Sequence, residues 1–160
     1  MDGAVRFETI YKEYWDKIFR LCLGYVNDQE LARDMAQEVF VIVWQQLHTF
    51  QQKSSISTWI YRIAVNRCLR QIEKEKRVTK VEFPILVNEV EEQDLDAPVK
   101  LLYQFVSELP ELDRVIISME LEEVKQSEIA RITGISDGNV RTRIHRIKQL
   151  LNKKFKEHGY

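Results

Sequence analysis

Apolar residues recur at three- and four-residue steps along most of the chain. Phe7, Ile10, Tyr11, Tyr14, Ile18, Leu21, Cys22 and Tyr25 share one helical face, and a second run carries Leu31, Met35, Val39, Val43 and Leu47. Between them the stretch Val26-Asn27-Asp28 supplies cap chemistry, so two amphipathic helices are expected in antiparallel order. The polar stretch HTFQQKSSIS breaks the pattern. It resumes from Thr58 to about Lys76 through Trp59, Ile60, Ile63, Ala64, Leu69 and Ile72, with Ser57 as the expected N-cap. Three helices of this size bury a core together, which predicts a small helical domain over residues 1–78.

Residues 79–97 read differently. Acidic composition, Pro84 and Pro98, and weak periodicity predict a flexible linker, and a strand at Phe83 to Val87 is not expected. Helical spacing returns over residues 98–160, first through Val99, Leu102, Phe105, Val106 and Leu109. After Pro110, which fits the first turn of a new helix, it restarts at Val115, Ile116 and Met119. The expected fold is therefore all-α, two small helical domains joined by an acidic linker.

The last 35 residues hold the most specific local pattern. Ile129, Ala130 and Ile132 make an apolar stripe, Gly134 supplies a left-handed turn, and Ser136 or Asp137 caps a final helix whose core face is Val140, Ile144, Ile147 and Leu151. A small residue at the crossing, a glycine in the turn and a branched anchor are what a helix-turn-helix requires. Removing the core face leaves Asn139, Arg141, Thr142, Arg143, His145 and Arg146 outside. Arginine and asparagine form paired hydrogen bonds to guanine and adenine edges, whereas Lys148, Lys153, Lys154 and Lys156 suit phosphates.

Charge sharpens this picture. The net charge of −1 conceals nine Lys or Arg against three acids from Lys125 onward, and six acids without a base from Val81 to Ala97. Such sorting suits a polyanion at one end. No apolar run approaches a membrane span and the first residues are not those of a signal peptide, so a cytoplasmic protein is expected. Cys22 and Cys68 lie far apart within helical patterns and read as reduced structural thiols. No phosphate loop or paired-histidine motif is present and His48, His145 and His158 are scattered, so neither an enzyme nor a cofactor is expected.

Two long stretches carry a family resemblance. ARDMAQEVFVIVWQQL followed by SSISTWIYRIAVNRCLRQIEKEKR closely resembles region 2, the promoter-binding domain, of bacterial sigma factors of the extracytoplasmic-function (ECF) group within the sigma-70 family. LPELDRVIISMELEEVKQSEIARITGISDGNVRTRIHRIKQLL resembles their region 4. The resemblance implies a factor that binds core RNA polymerase, directs it to promoters through the minus-thirty-five and minus-ten elements and assists melting.

It also implies residue roles. Asp34, Gln37, Glu38, Phe40 and Trp44 would dock on the clamp helices of the beta-prime subunit, while region 4 would meet the beta flap. Ser54, Ser55 and Ser57, with Tyr61, Arg62, Asn66, Arg67 and Arg70, would hold single-stranded minus-ten DNA, for which polar pockets and cations are the physical need. Arg141, Thr142, His145 and Arg146 fall on positions that read duplex minus-thirty-five DNA in relatives. Trp59 is expected mainly in the core. An anti-sigma factor is an expected partner, and the acidic linker would thread a basic polymerase channel. The chain departs from the family at Arg70 and Glu73, where aspartate and arginine are common, and at Ile56, where an aromatic is common. The alternatives are a dimeric helix-turn-helix regulator on a palindromic operator, and a protein-interaction module with an incidental basic end.

Overall fold

The computed structural model describes residues 3–77 and 94–160, with the side chains of Val5 and of 72–77 left out. The described residues form seven α-helices: α1 (Gly3–Val26), α2 (Gln29–Gln46), α3 (Ile56–Arg77), α4 (Ala97–Ser107), α5 (Glu111–Leu121), α6 (Gln126–Thr133) and α7 (Asp137–Glu157), with a single 3-10 turn at Leu47–Thr49. The all-helical expectation holds for the described residues. Most of the expected linker, the doubted strand segment and Glu73 lie outside the described residues or side chains.

Local chemistry sets the first three helices. Asn27 takes a left-handed φ of 50° and closes α1 through its N–H to the Leu23 carbonyl. Asp28 then accepts from the Leu31 N–H at 3.0 Å, a cap worth about 1 kcal/mol. The cap of α3 differs from expectation. Ser55, not Ser57, accepts from the Thr58 N–H at 3.1 Å, because the helix begins at Ile56, whose side chain packs on the core. Similarly, Pro110 is the N-cap of α5 rather than part of its first turn.

Ile18, Leu21, Cys22, Met35, Val39, Val43, Ile60, Ala64 and Cys68 are fully buried where the first three helices meet. The two cysteines, 46 positions apart in sequence, adjoin in this core. The hydrogen bond with Cys22, then burial, holds the Cys68 thiol well above its usual range. Trp59 is half-buried against Phe50, at a ring separation of 5.1 Å.

The second half does not stand apart. The core continues from α1 and α3 into Val115, Ile116, Met119, Ile129 and Ile132 of α5 and α6, while a smaller cluster of Phe105, Val106, Leu109, Ile117, Ile147 and Leu151 ties α4, α5 and α7 together. Helix α1 packs against α4 and α5, and α3 against α6. Gly24 permits the α1–α5 approach: a Cβ there would collide with the Ser118 Oγ. Arg114 reinforces it by donating to the Tyr25 carbonyl at 3.2 Å with its guanidinium over the Tyr25 ring, satisfying a carbonyl at the end of α1.

Candidate nucleic-acid and polymerase interfaces

The helix-turn-helix is built as its local signals require. Gly134 has φ 79° and its N–H bonds to the Ala130 carbonyl at 2.8 Å, ending α6. Ser136 then accepts from the Asn139 N–H at 3.1 Å and starts α7. Val140, Ile144, Ile147 and Leu151 are buried, which turns Arg141, Thr142, His145 and Arg146 into solvent. Thr142 keeps its hydroxyl donated to the Gly138 carbonyl at 2.9 Å, leaving its lone pairs outward.

Arg143 behaves otherwise. Its Nη1 donates to Asp113 Oδ1 at 2.9 Å and its Nε to Asn139 Oδ1 at 2.9 Å, so neither Arg143 nor Asn139 is an unengaged outer residue. Two expected phosphate-binding lysines also have acids: Lys148 meets Glu120 at 3.2 Å and Lys154 meets Glu108 at 2.9 Å. Lys153 and Lys156 are exposed.

On α3 the expected strand-binding residues divide. Arg62, Asn66 and Arg70 lie on one exposed stripe at four-residue spacing, with Arg70 Nε donating to the Asn66 carbonyl at 3.2 Å. Ser54 and Ser57 are half-buried and Ser55 is exposed, although its hydroxyl serves as the helix cap. Tyr61 and Arg67 correct the sequence reading, since both are buried here. Arg67 is held by Glu38 and by Gln71, the latter at 2.7 Å, so its charge is spent joining α3 to α2. Tyr61 lies beneath the second half of the chain, its hydroxyl without a partner, and burial pushes the phenol above its usual range.

What covers Tyr61 was not expected. Glu128 of α6 accepts from the Thr58 hydroxyl, and Glu122 grips Arg20 of α1 with both oxygens, at 2.5 and 2.8 Å. That grip, ahead of a smaller opposing effect of burial, raises the Arg20 guanidinium still further above its ordinary value. A cavity of about 360 Å³ remains at this junction, lined by Lys17, Ser55, Ser57, Thr58, Tyr61, Glu122, Glu123 and Glu128 among others. Sequence reasoning missed Thr58, Arg20, Glu122 and Glu128. The partners stand 70 and 102 positions apart, and no periodic pattern reports contacts of that range.

The α2 face is a stripe of Asp34, Gln37, Glu38, Val41 and Trp44, all exposed. Phe40 differs from the other expected docking residues in being only 3% exposed, packed against Tyr11 and Trp15 with ring centroids at 5.1 and 5.7 Å. Trp44 is 52% exposed and only leans edge-on against Phe7. Phe7, Tyr11, Gln37, Phe40, Val41 and Trp44 thus line an open groove of about 390 Å³ beside the acidic residues. Such a groove suits the apolar face of a partner helix.

Comparison with known proteins follows these two halves. Residues 10–78 match the Sigma-70 region 2 family and residues 100–151 match Sigma-70, region 4. The chain is 30% identical over 167 residues to the ECF RNA polymerase sigma factor SigW of Bacillus subtilis, covering 94% of this chain and 89% of that one. It is 27% identical over 163 residues to the RNA polymerase sigma-H factor of Pseudomonas aeruginosa, covering 92% and 84%. In fold it is similar to the sigma factor RpoE solved with the anti-sigma factor NepR from Bartonella quintana, with a TM-score of 0.74, 16% identity, and 94% and 97% of the two chains covered. CnrH, solved with the cytosolic domain of CnrY, gives a TM-score of 0.69 at 17% identity, covering 94% and 88%. With both regions matched in order and a relative of this similarity spanning nearly the whole chain, the protein belongs to the ECF group of the sigma-70 family, the promoter-specific transcription initiation factors.

Proposed function

We propose that this chain binds core RNA polymerase through the exposed α2 stripe, reads duplex minus-thirty-five DNA with α7, and captures the minus-ten strand along α3 as the promoter melts. Residues 1–78 would serve polymerase and minus-ten binding, 98–160 minus-thirty-five binding, and 79–97 the connection. The observation that carries the reading is the solvent-facing stripe of Asp34, Gln37, Glu38 and Trp44 in the same chain as the outward Arg141, Thr142, His145 and Arg146. Glu38, which also holds Arg67, is the one member with a part in the fold, and each face has the chemistry of its partner: an acidic edge beside an apolar groove for a helix, and arginines for guanine edges.

Synthesis of RNA is the polymerase's chemistry, and this chain contributes recognition. Arg62, Asn66 and Arg70 are the strand-facing cations and amide available at the surface of α3. Thr58 and Tyr61 join them only when α6 moves away, so productive binding requires the two regions to separate. An anti-sigma factor holding them together would act on the same equilibrium, and the fold likeness to RpoE, solved with the anti-sigma factor NepR, supports such a partner.

The test is a pull-down of bacterial core RNA polymerase by the full chain and by an Asp34→Ala/Trp44→Ala double variant. Binding reduced at least tenfold in the variant, with its melting temperature unchanged, is the expected result. No binding by the wild type, together with tight binding to a palindromic duplex, would replace the proposal with a dimeric regulator.

A further inference from the structure

The buried carboxylate of Asp113 has no role in the reading above, yet it is tied to the helix that meets DNA. It lies in the first turn of α5, where the helix dipole favours an anion, and its side chain is 9% exposed. Its Oδ1 takes the Nη1 of Arg143 at 2.9 Å, and the Nε of the same guanidinium donates to Asn139 Oδ1 at 2.9 Å. Arginine has donors only, so the Asn139 atom facing it is the oxygen, and the amide nitrogen points away. The Asn139 N–H is already held by Ser136, so the side chain is fixed at both ends of its residue.

This geometry changes what Asn139 can read. Paired recognition of adenine needs the amide oxygen to accept from one base atom while the nitrogen donates to another. Here the oxygen is turned toward Arg143, which takes one of its two lone pairs, and the nitrogen is the atom left facing away from that guanidinium. We propose that Asp113 is a positioning residue for promoter specificity: through Arg143 it holds Asn139 with its amide nitrogen forward, biasing the facing base pair toward guanine, whose O6 and N7 both accept, over adenine, whose N6 is itself a donor. The inference rests on reading α7 as the duplex-binding helix.

The experiment is selection of the full chain, bound to core polymerase, on a duplex pool randomised across the upstream element, comparing wild type with N139A, D113N and R143K. Lysine in place of Arg143 keeps the ion pair to Asp113 but lacks the second nitrogen that reaches Asn139, and it tests the idea even if D113N fails to fold. At the position N139A renders indifferent, D113N and R143K are expected to raise adenine relative to guanine by roughly tenfold, the worth of one good base contact, with other positions unchanged. A purely structural role would weaken all sequences equally. Wild-type preference retained in both D113N and R143K overturns the proposal, whereas a wild type that enriches no sequence overturns the assignment of α7 itself.

Discussion

Replacing Arg20 with alanine should loosen the two halves of the molecule while leaving each folded. Arg20 of α1 and Glu122 at the end of α5 share two charge-assisted hydrogen bonds at 2.5 and 2.8 Å. The arginine side chain is 43% exposed and the glutamate 11%. An exposed pair contributes about 0.2–1 kcal/mol, but removal of Arg20 also leaves a largely covered carboxylate unpaired, which costs about 1–3 kcal/mol. Solvent at the arginine end discounts the larger figure, so about 1.4 kcal/mol is expected, a tenfold shift toward separated regions. The assay is energy transfer between dyes on cysteines introduced at the exposed Gln45 and Gln149; Cys22 and Cys68 are fully buried and do not compete for label. Lys12→Ala is the control, because the Glu8–Lys12 pair has side chains 66% and 74% exposed and joins nothing across the junction. Equal transfer in R20A, K12A and wild type would refute the reasoning and show that the pair does not hold the regions together.

Other outcomes follow from single sites. Ser136→Ala removes the cap of α7 and should cost about 0.5–2 kcal/mol in denaturant unfolding, with duplex binding falling in step. Arg67→Ala removes the buried donor that Glu38 and Gln71 share; with Glu38 46% exposed and able to take water, the cost should be about 1–3 kcal/mol, still more than for Arg62→Ala on the exposed stripe, as urea titration would report. The hydrogen bond from Lys154 holds the Glu108 carboxyl below its ordinary value of 4.5. The folded-state value being depressed, its small contribution is complete above the ordinary value and lost as pH falls through the folded one. A comparison of acid unfolding in wild type and Glu108→Gln should therefore show a difference above that window that closes below it.

The helix-turn-helix was legible because its signals are local: Gly134 and Ser136 act on neighbours within four residues. The α3 cap was displaced by two positions because SSIS offers three serines, and the choice among them falls to the packing of Ile56. Phe40 and Trp44 look alike in an apolar pattern four residues apart. They separate only because Tyr11 and Trp15 of α1 close over one and leave the other at the edge. The burial of Tyr61 and Arg67 was withheld for the same reason, since α6 and the α5–α6 turn pack near one and Glu38 of α2 holds the other. Long-range partners, more than element boundaries, were what the linear pattern withheld.

The burial of both cysteines has a chemical consequence. A thiol reacts with peroxides and disulfides as its thiolate, and access and a low pKa are both needed. Cys22 and Cys68 have no solvent exposure, and their mutual hydrogen bond opposes ionisation of Cys68. Oxidants therefore reach these sulfurs only through unfolding of the three-helix core. Folding thus shields both thiols from changes of redox poise outside the core.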